Sequence, residues 1–218
     1  MSVKPNSKYG QPDERDPTSL CNAMDVRVEH TKIDFKMNFD TRTIDAVVYI
    51  RARVLKEKST CLVLDTRNLD IKEVTNEKGD QNLKYEMLGS NSKVFGQALS
   101  ISLPNDVEKK GDVFTVRVSY ITSPEACAIQ WCPPEQTAGK KLPFMFTQSQ
   151  AIHARSMIPC QDTPGAKMTW DARIRVCFFS QEYSIRSLTL FFFIKLGTQR
   201  ASSTHVCTRK RRRSCSRG

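Results

Sequence analysis

The chain has 218 residues, of which 39% are hydrophobic, and a formal net charge of +11; this length suits one soluble domain with tails. The charge is uneven, because residues 178–218 hold nine Lys or Arg and one acidic residue, whereas residues 1–177 hold 25 basic and 22 acidic residues. The basic excess therefore belongs to the tail, which argues against nucleic acid as a partner of the folded body.

The first segment, residues 1–20, is polar and is predicted to be disordered. It has no apolar stretch of the kind that a secretory signal needs. No run in the chain reaches the roughly 18 apolar residues of a membrane helix, so no membrane is expected as a partner. Eight cysteines in a chain without a signal favour reduced thiols and hence a cytoplasmic location.

From Val26 onward, apolar and polar residues alternate in the way that half-buried β-strands require. The charged stretch Asn76–Asn82, which contains a glycine, predicts a hairpin loop. No helical period of helix length occurs before residue 177, so we predict an all-β architecture. The predicted strands are Ile33–Phe39, Val48–Val54, Cys61–Asp65, Leu69–Val74, Leu99–Leu103, Val116–Tyr120 and Met168–Val176.

The strand predicted at Met168–Val176 has the clearest alternation in the chain. Trp170 falls on its apolar face and is therefore expected in the core. Beyond it, Leu188–Leu196 is a mostly apolar run that is too short to cross a bilayer. That run is either a buried strand or an apolar patch.

Two glutamines, Gln148 and Gln150, lie in an extended-looking run, Phe146–Ile152. Residues i and i+2 of a strand project from one face, so both glutamines should share a face with Phe146, and Ser149 should lie on the other. A pair of carboxamides supplies donors and acceptors without charge, and it can bind a peptide backbone or a carboxylate. It can equally satisfy the backbone groups of a neighbouring loop.

Three motifs surround these glutamines: PEQTAGK at Pro134–Lys140, FTQSQAIHAR at Phe146–Arg155 and PCQDTP at Pro159–Pro164. Together they resemble the N-terminal domain of the zinc aminopeptidase family close to leukotriene A(4) hydrolase and aminopeptidase B. The similarity begins near Leu20 and stops near Val176. It implies a saddle-like set of packed β-sheets over residues 21–177. We expect these sheets to be incomplete at their C-terminal end, where a divergent basic tail, residues 178–218, follows.

The resemblance also implies a site. In the family the two glutamines line the substrate cleft, which would place Gln148, Gln150 and Ala151 on the cleft wall. The family reaction needs zinc held by a His-Glu-x-x-His helix and a further glutamate. None of the three histidines here begins that pattern, so we expect neither a cofactor nor a catalytic residue in this chain.

The resemblance implies a function that the chain would perform only with a partner. Full-length relatives remove N-terminal residues from peptides, and one branch also hydrolyses an epoxide. We expect this chain to be truncated, to lack the catalytic domain and to be inactive alone. Two alternatives stay open: a non-catalytic module that binds peptides or complements a separate catalytic domain, and nucleic-acid or nuclear targeting through Arg209–Arg213. No aromatic residues interleave with that basic run, as stacking on bases would require.

Three further residues allow two interpretations each, and one pair of cysteines suggests half of a zinc site. His153 could be a general base, or it could be a packed and hydrogen-bonded residue behind the glutamine strand. Gln161 and Asp162 could face the cleft, or they could build the PCQDTP turn. Cys127 is spaced from Cys132 like one half of a zinc site, but no second pair of ligands accompanies it.

Overall fold

The structure is a computed structural model that describes residues 16–92, 94–107, 109–178, 181–183 and 192–193. Over these residues the chain forms twelve strands and two short 3-10 helices, at Pro134–Gln136 and Ala154–Ser156. The strands are β1 Val26–Asn38, β2 Thr43–Val54, β3 Cys61–Thr66, β4 Leu69–Asn76, β5 Tyr85–Ser92, β6 Gly96–Ser102, β7 Val113–Thr122, β8 Ile129–Cys132, β9 Phe144–Gln148, β10 Thr169–Phe178, β11 Gln181–Tyr183 and β12 Phe192–Phe193. The all-β prediction is confirmed.

The strands form three sheets. The largest has six strands in the order β11-β10-β1-β2-β7-β4, and two three-stranded sheets have the orders β12-β9-β8 and β3-β6-β5. In the largest sheet β10 runs parallel to β1, whereas β1, β2, β7 and β4 are mutually antiparallel neighbours. Residues of all three sheets enter one apolar core, including Phe35 of β1, Leu64 of β3 and Met145 of β9.

The alternation seen in the sequence decides which face of each central strand enters this core. In β1, Ile33, Phe35 and Met37 are at most 1% exposed, and the residues between them face outward to varying degrees. In β2, Val48 and Ile50 are buried in the same way. Each such side chain contributes about 1.5–3 kcal/mol of burial free energy. Both strands lie where they are predicted and extend further at their N-terminal ends.

Two strands before residue 177, β5 and β8, have no counterpart in the sequence prediction. Strand β5 reads YEMLGSNS, in which glycine and asparagine are poor strand formers. Its hydrogen-bonded pairing with β6 therefore stabilises a strand that its own residues do not favour. Strand β8 has only four residues, which is too short for an alternation to be recognised. Its pairing with β9 is decisive for the site described below.

Trp170 was expected inside the core, but it contacts the core only from its edge. Trp170 is partly buried and packs against the edge of the core, together with Ala172 and Ile174. The reason is the position of β10 in its sheet. Its outer neighbour β11 pairs only with Val176–Phe178, so among the described residues the rest of that edge of β10 has no paired strand.

Two residues of the segment predicted to be disordered, residues 1–20, are buried against the domain. Ser19 and Leu20 are buried, because the carboxylate of Asp65 accepts hydrogen bonds from Ser19 Oγ and from the backbone N–H of Leu20, both at 2.6 Å. The sequence alone could not distinguish Ser19, which binds a buried carboxylate, from a polar residue at the end of a disordered segment. Residues 1–15 lie outside the described residues.

Little of the predicted basic tail is described. Strand β11 pairs antiparallel with the end of β10, and β12 pairs parallel with β9, with Phe192 opposite Thr147. The short strand β12 falls within the apolar run Leu188–Leu196. The basic run Arg209–Arg213 lies outside the described residues. In the part of the chain that is described, no helix is long and apolar enough to cross a membrane.

Candidate functional site

An exposed row of side chains follows strand β9. Phe144, Phe146 and Gln148 are exposed, and the alternate residues Met145 and Thr147 are buried. The rings of the two phenylalanines stack with their centroids 6.2 Å apart. The strand thus presents an apolar ledge that ends at a carboxamide, and the predicted sharing of a face by Phe146 and Gln148 is confirmed.

The strand ends at Gln148, not at Ile152 as predicted. Gln150 and Ala151 lie in a turn and are exposed, and the peptide bond between them is cis. Because Gln150 lies outside the strand, the two-residue spacing does not place it on the same strand face as Gln148. The turn forms because Gln148 Oε1 accepts a hydrogen bond from the backbone N–H of Gln150 at 3.1 Å.

The two glutamines are accordingly used differently. Gln148 bonds to a neighbouring backbone group, as the structural alternative supposed, and keeps its amide donors exposed. The carboxamide of Gln150 has no hydrogen-bond partner among the described residues and is exposed. Gln150 and the remaining donors of Gln148 are thus the groups that an incoming ligand can reach.

A set of backbone hydrogen bonds holds the turn against β8. Gln148 N–H donates to the Ala128 carbonyl at 2.9 Å, and His153 N–H donates to the Ser149 carbonyl at 3.0 Å. Ser156 Oγ accepts from Ala128 N–H at 3.0 Å and donates to the His153 carbonyl at 2.8 Å. The hydroxyl of Ser156 therefore ties the His153 end of the turn to Ala128, the residue before β8, and the N–H of Gln148 ties the other end to the same residue.

The side chain of His153 is half-buried and lies beneath this turn. Its Nδ1 is 3.0 Å from Cys127 Sγ. The described contacts thus agree with the interpretation of His153 as a packed and hydrogen-bonded residue. Its partner is a thiol from the connection between β7 and β8, which sequence spacing could not pair with it.

A buried guanidinium fixes the segment that follows the turn. Arg155 is 0% exposed; its Nε donates to Asp162 Oδ2 at 3.0 Å, and its Nη1 donates to the carbonyls of Thr18 and Phe95 at 2.7 and 2.9 Å. Asp65 Oδ1 lies 3.6 Å from the same Nη1. One side chain therefore joins the N-terminal segment, the start of β6 and the PCQDTP loop.

The ionisation of this group of residues follows from its burial. Burial raises the pKa of Asp65 and of Asp162, and the charge of Arg155 lowers each only in part. Burial lowers the pKa of Arg155, but the two carboxylates raise it more, so that it ends above its usual value. Each charge in the core is tolerated because the opposite charge and several backbone groups surround it.

The side chains of Gln161 and Asp162 make structural contacts, but with β1 and with Arg155 and not within the PCQDTP turn. Gln161 is 2% exposed; its Oε1 accepts from Val28 N–H at 3.0 Å and its Nε2 donates to the Val26 carbonyl at 2.7 Å. These bonds lie before His30, the first residue of β1 that pairs with β10. Asp162 accepts hydrogen bonds from Arg155.

The described residues do not fit the zinc ion that the resemblance implies. No group of three or more His, Cys, Asp or Glu side chains within the described part of the chain is arranged to hold a metal ion. Among those residues Cys127 and Cys132 are free thiols. These residues therefore support no reaction step through a metal.

Comparison with known proteins decides the family. Residues 27–181 match the family described as Peptidase M1 N-terminal domain. The chain belongs to the M1 peptidase family. Leucine aminopeptidase 2 of Yarrowia lipolytica is 40% identical to this M1 domain over 164 residues, and leukotriene A-4 hydrolase of Xenopus laevis is 36% identical over 161 residues.

The matches cover most of this M1 domain but little of its relatives. The two alignments span 74% of this chain, against 24% and 26% of the relatives. A solved structure of yeast LTA4 hydrolase in complex with bestatin superimposes with a TM-score of 0.65 at 31% identity, covering 80% of this chain and 26% of that chain. The chain thus spans about a quarter of the length of the relatives it matches.

Two parts of the site were missed by reasoning from the sequence. Gln130 of β8 pairs with Phe146 and is exposed beside it, and Phe144 extends the apolar ledge. The alternation of residues 144 to 148 could have identified Phe144. Gln130 could be placed beside Phe146 only from the register of β8 against β9, which the sequence does not specify.

Proposed function

We propose that this chain forms one wall of the substrate cleft of a leukotriene A-4 hydrolase-like aminopeptidase and binds the N-terminal end of a peptide at Gln148, Gln150 and Ala151. Catalysis would come from a unit outside the matched residues. The observation that carries the proposal is the exposed Phe144–Phe146 ledge, which leads directly to the Gln148–Ala151 turn. The family of the chain and the names of its relatives support the substrate class.

The chemistry of the turn suits a peptide terminus. A carboxamide oxygen accepts hydrogen bonds from an ammonium group, and a carboxamide NH₂ donates to a peptide carbonyl. Gln150 offers both without needing to break a bond to another described residue. The phenylalanine ledge can contact the side chains of the peptide, and such apolar surface next to a few polar groups is typical of ligand sites.

The fold supports the precision that such a site needs. The turn is tied to β8 through Ser156, and the following residues are fixed by the buried guanidinium of Arg155. A site whose side chains rest on a rigid support loses less entropy on binding. The role of the chain is therefore to bind and orient the peptide, while zinc-dependent hydrolysis belongs to the partner unit.

We also propose a cytoplasmic location. The five cysteines whose side chains are described, Cys21, Cys61, Cys127, Cys132 and Cys160, are free thiols. Free thiols persist in a reducing compartment. This proposal is checked by fractionating cells that express the tagged chain.

Replacing Gln150 with alanine should weaken the binding of a short peptide with a free N-terminus. Loss of a hydrogen bond of about 1 kcal/mol corresponds to a rise in Kd of roughly fivefold. Titration of a fluorescent tripeptide measures the effect. Gln81→Ala is the matched control, because Gln81 lies in the loop between β4 and β5, and it should leave Kd unchanged. Equal Kd values for the wild type, Gln150→Ala and Gln81→Ala would refute this site.

The purified chain should hold no stoichiometric zinc and should not hydrolyse aminoacyl anilides. The reason is that the sequence has no His-Glu-x-x-His pattern, which the family reaction needs. Metal analysis and a chelator-sensitive rate assay test both statements. One tightly held zinc per chain together with chelator-sensitive turnover would show that the chain is a complete enzyme and that the division of labour proposed here is wrong.

A further inference from the structure

A cluster of reactive groups adjoins the glutamine turn at His153. Cys127, in the connection between β7 and β8, is half-buried. Its Sγ is 3.0 Å from His153 Nδ1 and accepts from Arg67 Nη1 at 3.4 Å. Ser156 Oγ lies 3.3 Å from the same sulfur. Three separate connections of the fold thus bring a thiol, an imidazole base and a cation together.

The other described thiols have different surroundings. Burial, followed by the nearby charge of Asp65, raises the pKa of Cys21 to about 12. Burial also raises the pKa of Cys160 well above its usual value, and the carboxylates of Asp162 and Asp65 add to the effect. Among the five described cysteines, Cys127 is the one whose sulfur lies within hydrogen-bond distance of both a base and a guanidinium.

Ser149 adds a second observation at this place. Its Oγ is buried and has no hydrogen-bond partner among the described residues, and its carbonyl oxygen accepts the His153 N–H at 3.0 Å. Buried polar groups are almost always paired. The residue whose carbonyl holds the backbone of His153 thus carries a buried hydroxyl that has no partner among the described residues.

We propose that Cys127 is a site of reversible thiolation by a low-molecular-weight disulfide such as glutathione disulfide. His153 Nδ1 accepts the proton of the thiol, and the Cys127 thiolate attacks one sulfur of the disulfide. A new S–S bond forms at Cys127 as the S–S bond of the reagent breaks, and the departing glutathione thiolate takes the proton from His153. One protein thiol and one disulfide become one mixed disulfide and one free thiol, so no other oxidant is needed.

The guanidinium of Arg67 can interact both with the Cys127 sulfur and with an anionic reagent. A guanidinium stabilises a thiolate by charge, and it also binds carboxylates, of which each half of glutathione disulfide has two. A neutral thiol reagent lacks the second of these interactions. The geometry therefore favours an anionic disulfide over a neutral one of similar size.

Thiolation would reach the peptide site, and this step rests on the function proposed above. An adduct on Cys127 must displace its contact with His153, and the backbone of His153 holds the turn through Ser149 and Ser156. The turn that carries Gln148 and Gln150 would then be loosened. We expect peptide affinity to fall on thiolation and to return on addition of dithiothreitol.

The test is the rate of thiolation at each cysteine of the native full chain, measured by mass spectrometry of peptides after timed exposure to glutathione disulfide. Cys127 should react about tenfold faster than Cys21 or Cys132, because among the described cysteines it is the one with a base beside it to accept the thiol proton and a guanidinium beside it to bind the carboxylates of the reagent. His153→Gln and Arg67→Gln should each reduce the rate at Cys127 toward that of Cys132. Cys127→Ser identifies the modified peptide.

Controls separate a chemical role from a structural one. Circular dichroism and the rate at Cys132 show whether each variant is still folded; should His153→Gln unfold, the Arg67→Gln variant decides. Equal rates at Cys127 and Cys132 in the wild type, or a rate at Cys127 that both folded variants leave unchanged, overturn the proposal. A chain that is thiolated at Cys127 but binds no peptide in either redox state overturns the proposed function and leaves the thiolation site in place.

Discussion

Replacing Arg155 with methionine is expected to lower the free energy of unfolding by about 3–5 kcal/mol, the usual effect of removing one partner of a buried ion pair. The guanidinium is 0% exposed and donates to Asp162, to Thr18 and to Phe95. The substitution keeps much of the side-chain volume but leaves two buried carboxylates without their cation. Because whole domains are stable by only about 5–15 kcal/mol, this variant should be folded only in part.

The measurement is urea denaturation followed by circular dichroism, with Arg175→Met as the matched control. Arg175 forms an exposed ion pair with Asp34 at 2.9 Å, and exposed pairs contribute little. Arg175→Met should therefore leave the midpoint almost unchanged. Equal shifts of the midpoint in the two variants would show that the buried guanidinium does not hold the domain together.

The loss should also depend on pH. Burial already raises the pKa of Asp65 and of Asp162, and Arg155 opposes that rise. Without Arg155 both pKa values should rise further. A carboxyl whose folded-state pKa is raised is most favourable to folding below its unfolded pKa, and that contribution is lost as the pH rises through the folded pKa. The variant should therefore be closer to the wild type in acidic buffer than in neutral buffer.

Local patterns predicted the central strands because each has one face in a continuous core. Strands β1 and β2 alternate for most of their length, and burial follows the alternation. Strand β5 could not be found in this way, since its glycine and asparagine oppose strand formation and its partner β6 supplies the pairing. The partial exposure of Trp170 depends on what lies beyond β10 in the sheet, which a strand's own residues do not specify.

The site was predictable in its residues but not in its geometry. The spacing of Gln148 and Gln150 indicated a strand, and the bond from Gln150 N–H to Gln148 Oε1 makes a turn instead. The contacts beneath the turn join residues far apart in the chain, such as Cys127 with His153 and Arg155 with Thr18. Such contacts depend on the tertiary fold, and one sequence carries no local pattern for them.

The same network explains why the candidate site should be sensitive to distant backbone changes. Arg67 N–H donates to the Arg155 carbonyl at 2.9 Å, and the side chain of Arg67 reaches Cys127. Phe95, whose carbonyl accepts from Arg155, directly precedes Gly96. The end of β3 and the start of β6 therefore meet at the point from which the site is supported.

Replacing Gly96 with alanine adds one carbon atom and should lower the free energy of unfolding strongly. Gly96 has φ of +75°, and a Cβ there would lie 1.9 Å from the Thr66 carbonyl oxygen and 3.0 Å from Arg67 Cβ. The positive φ alone costs about 1 kcal/mol for a residue with a side chain. Overlap with backbone adds about 1–3 kcal/mol or more, because a main chain held in a sheet cannot move aside cheaply.

Gly79→Ala separates these two costs. Gly79 has φ of +78°, but a Cβ added there would meet no atom within 4 Å, so only the cost of the positive φ applies. We expect a small loss of stability in Gly79→Ala and a loss several times larger in Gly96→Ala, both measured by urea denaturation. Because relief of the clash must shift Thr66 and Arg67, thiolation of Cys127 should also slow in Gly96→Ala and not in Gly79→Ala. Similar losses in the two variants would mean that a Cβ at Gly96 does not meet the Thr66 carbonyl oxygen at 1.9 Å, or that the start of β6 can shift without disturbing Arg67.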